Sequence, residues 1–140
     1  MIELIRQRLA DETRFLVSVE IAEDIEALAE GVRSPHGTGF VVPFRERAAP
    51  NTLSTGGFRQ RVAFQFIVAF IVRHAADVKG AERAKAFDGF KRDIEQAIAG
   101  WQPQDASEEC ELVGGESSQL DIGVSIYAQT WETTRFLTGA

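Results

Sequence analysis

The hydropathy pattern of the 140-residue sequence predicts an α+β fold: a mixed, mostly antiparallel β-sheet of four to five strands, packed by two or three helices and carrying a long β-hairpin arm. Three observations predict it. Residues 2–11 and 80–99 place apolar side chains at helical spacings of three and four. Residues 39–47 and 122–137 instead turn alternate side chains to opposite faces as a strand does, and 59–73 are apolar on both faces. Between the first two of these strands lies a polar stretch too long for a tight turn. The predicted order is α-β-α-β-β-α-β-β in one domain, 1–140.

Each element has its own signature. Ile2, Ile5 and Leu9 share one face of the first helix, with Glu3, Arg6, Gln7 and Arg8 mostly elsewhere. Phe15, Val17, Val19 and Ile21 alternate with Leu16, Ser18 and Glu20, which predicts a strand over 15–21. A short helix follows over Ala22 to Glu30, with Gly31 as its stop. After the loop Ser34-Pro35-His36-Gly37, Phe40, Val42 and Phe44 point one way and Val41, Pro43 and Arg45 the other. Pro43 lacks the N–H a ladder needs, so this strand is an edge or is bulged there. The run 59–73 is apolar on both faces, the mark of a central strand covered on both sides.

In the long helix, Phe87, Phe90, Ile94, Ala97 and Ile98 form the apolar stripe, and Glu82, Arg83, Lys85, Lys91, Arg92 and Glu95 cover the rest. Gly100 ends it, Pro103 lies just beyond, and Trp101 is placed to seal its end against the core. The acidic segment 105–109 is a surface loop. A short strand over 111–116 is weakened or bulged by Gly114-Gly115. In the last strand Val124, Ile126 and Ala128 face one way, and Tyr127 and Trp131 the other.

Composition excludes several function classes. Net charge is −6, with fifteen Lys and Arg scattered and outnumbered by acids. A basic stripe that releases counterions from a nucleic acid is therefore not expected. Cys110 is the single cysteine, so no intrachain disulfide forms and a reducing compartment is the simpler expectation. The N-terminal segment lacks the apolar core of a signal peptide, and the apolar run 66–72 is too short to span a bilayer. A protein that starts in the cytoplasm, with no membrane partner, is expected.

The search for chemistry predicts no enzyme, no catalytic residue, no metal and no cofactor. His36 sits in a Pro/Gly loop and His74 follows the central strand, with no second ligand at metal spacing. Gly37-Thr38-Gly39 opens into a strand where a phosphate site needs a helix N-terminus. Cys110 lies among Glu108, Glu109 and Glu111, whose charge raises a thiol pKa, the wrong direction for a nucleophile. The carboxylates at Glu23, Glu26 and Glu30, and at Asp105, Glu108, Glu109 and Glu111, read as solvated faces.

What remains is the hairpin. Arg45 and Arg47 precede its loop, and Arg59 and Arg61 follow it. Two readings stand side by side: charges that keep a hairpin edge from aggregating, or an arm whose arginines seek a partner subunit.

Several segments together resemble the tail terminator proteins of long-tailed bacteriophages and their prophage relatives. They are Ile2-Glu3-Leu4-Ile5-Arg6-Gln7-Arg8-Leu9, Phe40-Val41-Val42-Pro43-Phe44-Arg45-Glu46-Arg47-Ala48 and Gly56-Gly57-Phe58-Arg59-Gln60-Arg61-Val62. Gly100-Trp101, Glu111-Leu112-Val113-Gly114-Gly115 and Trp131-Glu132-Thr133-Thr134-Arg135-Phe136 complete the ordered set, and residues 15–36 match least. The resemblance implies a structural protein of the virion tail, assembled in the host cytoplasm, that caps the tail tube as a ring, typically of six subunits. Such a ring stops tube polymerisation and offers a surface to a neck or head-completion protein. The subunit can stay monomeric until it meets the tube, and DNA passes the lumen without specific binding. The candidate subunit or partner contacts are Arg45, Arg47, Asn51, Phe58, Arg59 and Arg61. The alternatives are another head–tail connector component, a small-molecule-binding or enzymatic α+β domain, and a host regulatory partner protein. Acids lining the ring's inner wall would repel DNA phosphates, an expectation resting on the carboxylates of 23–30 and 105–111.

Overall fold

The computed structural model of the protein describes residues 1–24, 26–53, 55–74 and 80–139. The side chains of residues 29–32, 80 and 83, and all of residues 25, 54, 75–79 and 140, lie outside the described residues. The elements, in order, are α1 (Ile2–Glu12), β1 (Ser18–Ile21), a 3-10 helix (Glu26–Arg33), β2 (Thr38–Ala48), β3 (Gln60–Arg73), α2 (Gly80–Ile98), β4 (Glu111–Asp121) and β5 (Val124–Leu137). They form an α+β fold built on a five-stranded mixed sheet in the order β1-β2-β3-β5-β4. Only the β1–β2 pair is parallel; the other three pairs are antiparallel.

The sheet separates two apolar layers. Phe64, Phe66, Val68, Phe70 and Val72 of β3 point toward α1 and α2, where Ile5, Leu9, Phe90, Ile94 and Ile98 meet them together with Trp131. Ile67, Ala69 and Ile71 point the other way, against Ala22, Leu28, Phe40, Val42, Val124 and Ile126. Strand β3 is thus the central, doubly covered strand its run of apolar residues predicts. Burying one such side chain is worth about 1.5–3 kcal/mol, and seven consecutive buried residues, Phe66 to Val72, explain why β3 anchors the sheet. An aromatic stack reinforces it, with Phe70 lying 4.9 Å from Phe90 and 5.7 Å from Tyr127 between ring centroids.

Four elements differ from the sequence pattern, each for a local reason. Strand β1 starts at Ser18 and not at residue 15, because Asp93 of α2 captures the chain first. Its Oδ2 accepts the N–H groups of Arg14 and Phe15, both at 2.8 Å. The predicted helix 22–30 is a 3-10 helix beginning at Glu26 and running through Gly31 to Arg33. It starts late because the Ala22 N–H donates to the Val41 carbonyl at 3.0 Å, while Asp24 Oδ1 accepts the Ala27 N–H at 2.9 Å as an N-terminal cap. Strand β4 extends to Asp121, well beyond residue 116, with the expected irregularity between Leu112 and Gly114. Residues 122–123 are consequently a turn, with Gly123 at φ 73°, so the last strand begins at Val124.

Pro43 resolves as a bulge. The β2–β3 register shifts between Pro43 and Arg45, and β1 pairs only with residues 38–41. Beyond the bulge β2 is therefore bonded on one side only, by β3. Trp101 is partly buried against the helical layer, with the Arg8 guanidinium 5.3 Å from its ring centroid. Gly100, at φ 77°, turns the chain so that its N–H meets the Cys110 carbonyl at 3.0 Å.

Candidate subunit-contact surface

The two histidines and the cysteine make structural contacts. His36 accepts the Arg73 N–H on Nδ1 at 3.0 Å and lies edge-on to Phe90. The His74 ring stands 3.3 Å from the Ser125 hydroxyl, and its backbone N–H donates to the Gly123 carbonyl. Cys110 is buried, and burial pushes its thiol up to about 12, with a hydrogen bond to Thr133 pulling weakly the other way. Among the described residues no three His, Cys, Asp or Glu side chains gather as metal ligands. No described helix is long and apolar enough to cross a membrane.

The β2–β3 arm is the prominent surface feature. Strand β2 beyond the bulge pairs with β3 out to Ala48 and Val62, and the Ala49 N–H still reaches the Arg61 carbonyl at 2.8 Å. β5 runs alongside β3 to Leu137. At the tip, Asn51 Oδ1 accepts the N–H groups of Leu53 and Arg59, both at 3.2 Å, and so clasps the two sides of the loop.

The six candidate contacts divide by what they already touch. Arg61 is held by Glu108 at 2.9 Å, and this ion pair with the Thr134 hydroxyl keeps the Glu108 carboxyl below its usual range. Asn51 is spent on the tip clasp. Arg45 donates from Nε to Gln65 at 2.8 Å, Gln65 passes its amide on to Glu132 at 3.0 Å, and the Arg45 guanidinium lies over Phe44. Arg59 lies over Phe136, 3.7 Å from the ring centroid. Phe58 is 42% exposed, and Arg47 is exposed with no ion-pair partner among the described residues. The surface facing outward is therefore Arg47, Phe58, Leu53 and the charges of Arg45 and Arg59.

A model of the phage tail terminator proteins matches residues 1–139. The chain belongs to the phage tail terminator family. No curated protein sequence matches it. Among solved structures it is similar to a chain of the virion of a native gene transfer agent particle, with a TM-score of 0.59 and 13% identity. That similarity covers 96% of this chain and 92% of the other, and it shows a shared fold. As a member of that family the chain is a structural tail protein and a virion component.

For a terminator-family subunit the informative surfaces include several that hydropathy alone misassigns. Phe15, Val17 and Ile21 alternate as a buried strand face would, yet Val17 is 66% and Phe15 58% exposed. Of that alternating set Val19 packs on the core, joined by Leu16 from the other set. At the opposite sheet edge Leu112, Val113 and Ile122 are exposed along β4 and its turn. Both edges thus present apolar side chains beside unpaired strand backbone, which monomeric sheets usually protect with charges or bulges. Alternation reveals that these residues are apolar but not which side is covered. Glu20, Glu23, Asp24 and Glu26 are likewise exposed around the first edge. Glu23 precedes the 3-10 helix, so it does not share a helical face with Glu26 as expected.

Proposed function

We propose that this chain, as one domain, assembles into a closed ring of six copies that caps the tail tube, stops its polymerisation and offers the tail-side surface for a neck or head-completion protein. A ring of identical subunits needs two different patches that meet when the rotation closes. The observation that carries the reading is the extended β2–β3 arm at one end of a sheet whose two edges both expose apolar residues. The six arm residues Arg45, Arg47, Asn51, Phe58, Arg59 and Arg61 are the proposed contact set, with Asn51 and Arg61 shaping the arm and the others meeting the partner. The subunit stays monomeric until tube ends template the ring, and assembly takes place in the host cytoplasm. DNA crosses the lumen without specific binding, and the absence of enzymatic chemistry follows from the role.

Mixing the chain with polymerising tail-tube protein tests this. Tubes of limited length, bearing the chain at one end as a ring in negative-stain images, are expected. Unaltered tube growth with no chain at tube ends overturns the proposal.

A further inference from the structure

We infer that, in the proposed ring, the β2–β3 arm of one copy docks on the β1 edge and the corner leading into the 3-10 helix of the next copy. The inference rests on the ring reading and specifies which two patches meet. Residues 44–61 hold four arginines and a single acid, Glu46. Glu46 is already paired with Arg135 at 3.0 Å, and Arg61 with Glu108. Among the described residues Arg45, Arg47 and Arg59 have no carboxylate partner, and the half-exposed Leu53 and Phe58 stand among them.

The matching surface lies on the same chain. Residues 15–28 contain four acids and no Lys or Arg. Glu20, Glu23, Asp24 and Glu26 are all exposed, and none is in an ion pair among the described residues. Glu20 and Glu23 flank the exposed Ile21 along the chain at the end of β1, an edge strand, and Asp24 and Glu26 lie beside Pro43 and Phe44. Cationic groups around two apolar residues thus have a complement in a surface of acids beside the exposed Ile21.

A chain's own arm meets this corner only at its root, where Pro43 and Phe44 stand beside Asp24 and Glu26; the β2–β3 ladder carries Arg47 and Arg59 past the end of β1. The other acidic segment, 105–111, is a weaker receiver: Glu108 is neutralised by the arm of its own chain and Asp105 lies 3.8 Å from the N-terminal amine. Charge also decides the symmetry. Arm against arm and corner against corner are both repulsive, so the favourable contact is between unlike patches, which propagates round a ring.

Charge reversal with rescue tests the pairing in the full-length chain, using ring formation at tube ends and arrest of tube growth as readouts. R47E/R59E alone and E23K/E26K alone are each expected to weaken assembly about tenfold or more, with thermal midpoints near wild type. The four substitutions combined in one chain restore assembly to within about threefold, because the reversed arm meets the reversed corner. If a reversal unfolds the chain, the glutamine variants R47Q and E23Q report the same loss. Wild-type assembly by either reversed variant overturns the inference, as does failure of the combined variant. Absence of any ring of the wild-type chain at tube ends overturns the ring reading and this inference with it.

Discussion

Asp93 determines where the β1 edge begins, and replacing it by alanine isolates that role. Its side chain is 7% exposed on α2 and accepts the Arg14 N–H on Oδ1 at 3.0 Å and on Oδ2 at 2.8 Å, plus the Phe15 N–H at 2.8 Å. Hydrogen bonds to a charged acceptor contribute about 1.5–3 kcal/mol each. Two donors lose their partner in Asp93→Ala, but Arg14 and Phe15 sit at the surface, where water recovers part of the loss. The expected destabilisation is therefore about 2–3 kcal/mol, at or below the low end of two such bonds. For a domain of this length that lowers the thermal midpoint by about 7–10 °C. Asp93→Asn keeps one acceptor oxygen and is expected to lose roughly half as much. Urea unfolding followed by circular dichroism measures both. Hydrogen exchange at Arg14 and Phe15 should accelerate in the alanine variant before global unfolding does. A loss below about 0.5 kcal/mol, or unchanged exchange at those two amides, would refute the claim that Asp93 holds the β1 edge.

Other outcomes follow from single contacts. A Cβ on Gly115 would meet the Tyr127 hydroxyl at 2.7 Å, whereas one on Gly114 meets nothing within 4 Å. Gly115→Ala should lose about 1–2 kcal/mol and Gly114→Ala less than about 0.5, read as urea midpoints. The hydrogen bonds from Arg61 and Thr134 lower the Glu108 carboxyl, so its contribution is complete above the ordinary value of 4.5 and fades as pH falls through the lowered folded value. Because Glu108 is half exposed, Glu108→Gln should lose only about 0.5 kcal/mol at pH 7, with the difference from wild type vanishing in acid. The Cys110 thiol, pushed up to about 12, should resist maleimide in the folded chain and react once urea unfolds it. Deleting residues 50–57 removes the Asn51 clasp but leaves the ladder bond from Ala49 to Arg61. Stability should therefore stay within about 1 kcal/mol while tube capping is lost; global unfolding would place the segment in the core.

Much of the fold was legible from local pattern. The long helix, the doubly covered β3, the bulge at Pro43 and the irregular Gly114-Gly115 each have a cause written in a few neighbouring residues: a stripe at helical spacing, an apolar run, a missing N–H, absent side chains. The contact surface was only half legible. The arginines flanking the hairpin loop announce an exposed arm, but not that Arg61 and Asn51 are already occupied within the chain. The β1 edge was hidden, since Phe15, Val17 and Ile21 alternate as a core-facing strand does.

The sequence by itself determined the α+β class, the central strand and the arm, because hydrophobic periodicity and backbone chemistry act over a few residues. Tertiary structure alone decided which apolar residues of 15–21 are covered and which arginines remain available. Those outcomes depend on groups far apart in the chain, Asp93 taking the Arg14 and Phe15 amides and Glu108 taking Arg61. Local pattern carries no information about partners separated by that much sequence, and only packing brings them together.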